Sequence, residues 1–352
     1  MYSTSPPPAI LIVGPSWVGD MVMAQSLFKM LKREQPKVDI DVLAPTWSEG
    51  LLNRMPEVRR IIPHTIEHGK LAWRERQQKA EELRYQGYQQ AIVLPNSWKS
   101  ALIPFLAKIP RRTGYRGEMR YGLLNDRRQL NKLVLRRTVD QFVALGLPKN
   151  DPRVGQLVPK PRLMPKPVED IFSRLGLEHS DSPILALCPG AEYGPAKCWP
   201  LEYYVTCANS KIADGWQVWL FGSHKEARLG ARIQTLVGDG CINLCGQTSL
   251  PEAVDLLSLA SAVIANDSGL MHVAAALDRI VIAVYGSSNP SMTPPLNDNA
   301  HIQYLGIKCS PCFQRTCPKK HLKCLRDIKP ALVLDRLNSY VQERDILKVG
   351  DG

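Results

Sequence analysis

The run Asn266-Asp267-Ser268-Gly269-Leu270-Met271-His272 sets a carboxylate, a hydroxyl, a glycine and an imidazole between two apolar segments, Ala262-Val263-Ile264-Ala265 and Val273-Ala274-Ala275-Ala276-Leu277. A strand that turns into a helix here leaves the first helical amides without partners, and such amides hold anions. Asp267 and Ser268 have N-cap chemistry, and Gly269 lets a ligand approach the backbone. A nucleotide phosphate is the natural occupant. A second strand, Val281 to Tyr285, ends in the turn Gly286-Ser287-Ser288-Asn289-Pro290. Two such loops at the carboxyl edge of a parallel sheet make a ligand crevice. His272 carries catalytic chemistry, but it falls inside the helix, where a packed structural histidine is equally expected.

Two further loops carry charge. Gly14-Pro15-Ser16-Trp17-Val18-Gly19-Asp20 has phosphate-loop spacing, but Asp20 and Met21 stand where that motif needs Lys and then Ser or Thr. The dinucleotide-binding glycine pattern is also missing, which argues against a nicotinamide enzyme. What is left is a carboxylate at a glycine turn. Partial burial would raise its pKa and make Asp20 a general base, whereas its bland role is to cap the following helix. In the loop Gly190 to Pro200, Lys197 precedes Trp199-Pro200. It is either an exposed surface lysine or a cation that meets a departing diphosphate beside Ser268 and Gly269.

Cys309, Cys312, Cys317 and Cys324 lie within sixteen residues, surrounded by Lys308, Arg315, Lys319, Lys320 and Lys323. Structural zinc, reduced thiols in a basic loop, and a disulfide are all open, because the spacing is not the paired two-knuckle pattern. Arg111, Arg112, Arg116, Arg120, Arg127, Arg128, Arg136 and Arg137 share one stretch with Tyr115 and Tyr121. Arginine forks suit phosphates and sugar-acid carboxylates, and no nucleic-acid module accompanies them.

The elements that must position these groups read as two similar halves. Ala9 to Val13 is a buried strand, Gly14 to Gly19 a loop, Asp20 to Arg33 a helix and Val38 to Leu43 a strand. Ile184 to Cys188, Pro189 to Pro200, Leu201 to Ala213 and Gln217 to Phe221 repeat the plan. Apolar runs without polar alternation, separated by helices, indicate parallel sheets covered on both faces. The predicted class is α/β, with two doubly wound domains facing across a cleft, 1–165 and 166–352, joined through the Pro-rich stretch Leu147 to Pro167. The last helix, Pro330 to Leu347, could pack on either domain. The 352 residues, 44% hydrophobic and 22% charged, suit two globular domains rather than a disordered chain. A formal charge of +12 calls for an anionic partner. The polar start, Met1 to Ala9, has no signal core, no apolar run spans a bilayer, and the nine cysteines are not spread as a secreted framework, so the chain reads as cytoplasmic.

With these residues assembled, the chain resembles the ADP-heptose:lipopolysaccharide heptosyltransferases of Gram-negative bacteria, glycosyltransferase family 9 with the GT-B fold. The resemblance covers essentially the whole chain. It rests on Gly19-Asp20-Met21-Val22-Met23, Lys197-Cys198-Trp199-Pro200, Asp267 to Leu277 and Tyr285 to Pro290, and the segment Cys309 to Pro318 is similar to the II type. It implies an inverting enzyme that needs no metal or other cofactor. The first domain would bind the acceptor, Kdo2-lipid A carrying one heptose, and the second would bind ADP-heptose. By that likeness Asp20 is the base, and Lys197 with the amides at Ser268 and Gly269 holds the diphosphate. Asp267 and His272 lie at the donor, Glu226 at the ribose and Thr248 at the adenine. Arg116 and Arg120 would meet the acceptor, at the inner face of the inner membrane and with no nucleic acid involved. The rival readings are another lipopolysaccharide core transferase, such as the heptosyltransferase I type, and a non-enzymatic basic protein that binds nucleotide or nucleic acid.

Overall fold

Continuous apolar runs become the inner strands of two parallel sheets. The structure, a computed structural model, describes residues 9–67 and 69–350, with side chains described to residue 341. Residues 1–8 of the polar start lie outside that range. The chain forms two compact units, Met1–Pro161 and Arg162–Gly352. The break falls within the Pro-rich stretch 147–167, which carries no helix or strand.

In the first unit β1 (Ala9–Val13), β2 (Asp39–Pro45), β3 (Arg60–His64), β4 (Gln90–Val93), β5 (Arg111–Tyr115) and β6 (Asp126–Arg128) form one sheet in the order β3-β2-β1-β4-β5-β6. Its helices are α1 (Val18–Glu34), α2 (Glu49–Leu52), α3 (Trp73–Arg84), α4 (Leu102–Leu106) and α5 (Thr138–Gly146). Register places Ile12 opposite both Val42 and Ile92. Leu11, Val13, Leu43 and Val93 enter one core.

The second unit repeats the plan with β7 (Ile184–Cys188), β8 (Gln217–Leu220), β9 (Cys241–Asn243), β10 (Ala262–Asn266), β11 (Ile280–Val284) and β12 (Ala300–Gln303), ordered β12-β11-β10-β7-β8-β9. Around it lie α6 (Glu169–Leu175), α7 (Leu201–Ala213), α8 (Ala227–Val237), α9 (Leu250–Leu257), α10 (Gly269–Ala276), α11 (Lys323–Arg326) and α12 (Pro330–Gly350). The last helix packs against β11 and α7, with Val333 and Leu337 in the second core, so it belongs to the second unit. Counted from its own first strand, each sheet has the order 3-2-1-4-5-6. Each therefore has one topological switch point, between β1 and β4 and between β7 and β10, and ligands of doubly wound sheets bind at the strand ends there.

Among the described residues no helix is long and apolar enough to cross a membrane.

A fully buried carboxylate interrupts the first sheet. Asp41 lies fully buried in β2 and accepts from Tyr88 Oη at 2.6 Å, Arg59 Nε at 2.9 Å and Arg59 Nη2 at 2.6 Å. Three donors balance the cost of desolvating the carboxylate. Removing a partner from a fully buried ion pair costs roughly 3–5 kcal/mol. Arg59 is half-exposed, so water reaches part of the gap it would leave. Arg59→Ala should therefore destabilise by about 2–3 kcal/mol, and Arg59→Met combined with Asp41→Asn should recover most of the loss. Urea unfolding of the three variants checks this; an unchanged midpoint in Arg59→Ala would show that the pair carries no weight.

Candidate active site

At the switch point of the second sheet, β10 ends on Asn266, whose side chain is fully buried. Its Oδ1 accepts from Trp199 N at 2.9 Å and from Tyr204 Oη at 3.0 Å, while Nδ2 donates to Pro189 O at 2.7 Å and Gly190 O at 3.4 Å. One amide thus ties both ends of the loop that follows β7 to the end of β10. The Trp199 indole, also buried, donates to Ile328 O at 2.9 Å and closes the loop from behind. Between these anchors a single 3-10 turn, Pro195–Lys197, delivers the lysine. Its Nζ lies 2.5 Å from Asp267 Oδ2 and 5.1 Å from the centre of the Tyr193 ring. The pair is largely withdrawn from water, with side chains 17% and 5% exposed.

Helix α10 starts at Gly269 with Ser268, one of the two residues of N-cap chemistry in the sequence, as its N-cap in extended backbone. The Ser268 hydroxyl makes no capping bond. The carboxylate of Asp267, which the sequence suggests as a cap, lies on Lys197 instead. The first-turn amides of α10 therefore meet the sheet edge beside an ion pair, which is the arrangement that holds an anion. His272 is 5% exposed, and burial pushes its pKa down to about 4. Asp267 raises that pKa and Lys197 lowers it, so the two members of the pair oppose each other.

Glu226 accepts at Oε2 from Ser223 N at 2.8 Å and Ser223 Oγ at 2.5 Å, closing a capping box. It also abuts the loop after β7, since a Cβ on Gly190 would lie 2.5 Å from its Cγ. Thr248 is half-buried in the bend before α9, beyond the edge strand β9. The structure thus brings together Lys197, Asp267, Ser268, Gly269 and His272, with Glu226 at the loop after β7 and Thr248 further along the sheet.

At the switch point of the first sheet, α1 opens at Val18 with Trp17 as N-cap, two residues earlier than predicted. Asp20 is therefore the third helical residue, half-buried in the first turn, and does not occupy the cap position. Arg116 is exposed just beyond β5. Arg120 departs from expectation: it is 1% exposed, and its guanidinium donates to Pro95 O at 2.7 Å, Asn96 Oδ1 at 3.4 Å and Tyr115 O. Burial draws its pKa down to about 10. Arg120 holds the loop after β4 and offers no free fork at the surface. Its neighbours are largely engaged too. Arg111 and Arg128 pair with Asp126, Arg137 pairs with Asp140, and Arg112 donates to Ile109 O and Leu123 O. Tyr115, Arg116, Arg127 and Lys149 border a cavity of about 590 Å³.

All nine cysteines are free thiols. Burial raises the Cys324 pKa, with Cys312, Cys317 and Cys309 close enough to add to it, so the four gather. Backbone amides lower that of Cys317, chiefly Leu322 N–H. Among the described residues, no three His, Cys, Asp or Glu side chains are arranged to hold a metal ion.

Asn266 and Tyr193 were not anticipated. The signal for Asn266 was an amide that ends an apolar strand, where no solvent satisfies it. Because His272 stays neutral in the fold while its unfolded pKa is near 6.5, the unfolded chain takes up a proton that the native one refuses. Stability contributed by neutral His272 is complete above pH 6.5 and should be lost as pH falls toward 4, by about 3 kcal/mol in total. His64, also lowered to about 4 by burial, acts in the same direction. His272→Gln should flatten the slope of stability against pH in this window by about half; an unchanged slope would contradict a buried neutral His272.

The model for "Glycosyltransferase family 9 (heptosyltransferase)" matches residues 76–323. "Lipopolysaccharide heptosyltransferase 2" of Salmonella typhimurium is 45% identical over 96% of this chain and 99% of the relative. The protein of that name from Escherichia coli K12 is 44% identical with the same coverage. The solved structure of E. coli ADP-heptose lps heptosyltransferase II superposes with a TM-score of 0.84 at 42% identity, covering 96% of this chain and 99% of that one. With the repeated doubly wound sheets and the loops at their switch points, these likenesses establish that the chain is a glycosyltransferase belonging to family 9, the heptosyltransferases.

Proposed function

We propose that this enzyme transfers L-glycero-D-manno-heptose from ADP-heptose to the first heptose of the lipopolysaccharide inner core, with inversion at the anomeric carbon. The observation that carries the donor half is the Lys197–Asp267 pair at 2.5 Å beside the N-terminus of α10. As the bond from the anomeric carbon to the diphosphate breaks, negative charge builds on ADP. Lys197 and the first amides of α10 stabilise it, supplying preorganised positive charge where charge develops. Asp267 accepts from hydroxyls of the donor heptose, Glu226 from the ribose, and Thr248 borders the adenine.

The acceptor half belongs to the first unit. Asp20, at the switch point beyond β1, takes the proton from the attacking hydroxyl as its oxygen bonds to the anomeric carbon. Exposed Arg116 meets anionic groups of the acceptor, Kdo2-lipid A carrying one heptose, while buried Arg120 acts only by holding the neighbouring loop. The charge of +12 supports a peripheral contact with anionic lipid at the inner face of the inner membrane. Relatives named heptosyltransferase 2 match at 44–45% identity and one named heptosyltransferase 1, from Pseudomonas aeruginosa, at 26%, which favours addition of the second heptose over the first.

The test is transfer from ADP-heptose to purified mono-heptosylated Kdo2-lipid A. Asp20→Asn should lower turnover about 10²- to 10⁴-fold, the range removed with a general base, while calorimetric ADP binding stays as in the native chain. Full activity in Asp20→Asn would remove it as the base. Failure of the native chain on this acceptor, with ADP still bound, would overturn the acceptor assignment.

A further inference from the structure

The cysteine-bearing segment touches the Lys197 loop. Arg315 O accepts from Ala196 N at 3.0 Å, one residue before the lysine, and Tyr193 Oη donates to Phe313 O at 2.6 Å. The backbones approach so closely that a Cβ on Gly194, at φ +148°, would lie 2.6 Å from Arg315 O. Ser287 joins the same contact, donating to Ala196 O at 3.3 Å and accepting from Cys312 N and Phe313 N. The guanidinium of Arg315 lies 5.5 Å from the centre of the Tyr193 ring, the ring that also faces Lys197 at 5.1 Å. Ammonium and guanidinium are thus within about 11 Å of each other.

Charge accounting gives this placement a purpose. A nucleoside diphosphate ester brings two negative charges. Lys197 is already matched by Asp267, and Lys225 by Glu192, so neither pair offers net positive charge. The α10 N-terminus contributes about half an elementary charge. Arg315 is exposed, has no carboxylate partner among the described residues and stands over the Tyr193 ring, so it is a cation beside this site whose charge is not already balanced.

We propose that Arg315 is a second diphosphate-binding cation of the donor site, held in place by Tyr193 and reaching the phosphate next to the sugar. This rests on the donor reading above. Tyr193 keeps the guanidinium over an aromatic face without neutralising it, and the Ala196–Arg315 hydrogen bond ties the Arg315 backbone to the residue before Lys197. Phosphate binding by a guanidinium is charge-assisted and geometrically specific, which sets the size of the expected effect.

Calorimetric titration with ADP and with AMP tests this on the full chain. Arg315→Ala should weaken ADP about 10- to 100-fold and leave AMP within about twofold, with Arg315→Lys recovering part of the loss. A merely structural role for the side chain would weaken both nucleotides alike and would overturn the proposal. If Lys197→Ala weakens ADP while Arg315→Ala binds it as the native chain does, Arg315 is excluded and the donor site stands. If the native chain does not bind ADP, the donor reading falls and Arg315 with it.

Discussion

The second unit depends on the buried side chain of Asn266. A parallel strand that ends at a switch point must hand its neighbour's loop back over its own end, and a loop of twelve residues rich in Gly and Pro has little internal structure with which to do so. Asn266 supplies two acceptor contacts and two donor contacts from one rigid amide, meeting Pro189, Gly190, Trp199 and Tyr204. Each is a modest net gain, but an unmatched amide at that depth would cost more than any of them returns. The loop is therefore held in one arrangement, and Lys197 arrives at Asp267 as a consequence.

That arrangement places the ion pair where its energetics suit exchange. Lys197 and Asp267 are mostly removed from water, so each needs a partner when the nucleotide is absent. An incoming diphosphate offers the lysine a second anion, and the hydroxyls of the bound sugar offer the carboxylate its own donors. The pair keeps both charges ionised and aligned without exposing either, and the neighbouring His272 stays neutral because burial outweighs two charges that oppose each other.

Much of this was legible in the residues. β1, β7 and α7 match the predicted bounds, since an unbroken apolar run between turn residues has one reading in a doubly wound fold. The start of α1 is predicted two residues late, because Val18-Gly19 looks like loop when glycine is read as a breaker; the helix begins there because Trp17 has the extended backbone of an N-cap. The partners of charged groups were not legible. Arg120 lies among surface-like arginines in sequence but is drawn inside by three acceptors, two from the loop after β4 and one from the end of β5. Asp41 hides in a strand that is apolar apart from it and Asp39 at the strand's first position. In each case the deciding contact is between residues far apart in the chain, and periodicity carries no information about it.

The most direct measurement is a crystal structure of the chain with ADP bound. It should place the diphosphate at the first amides of α10 within hydrogen-bond reach of Lys197 Nζ, with Asn266 keeping all its present contacts. A diphosphate seated away from the ends of β7 and β10, for instance among Arg116, Arg127 and Lys149 of the first unit, would contradict the assignment of the donor site to this switch point.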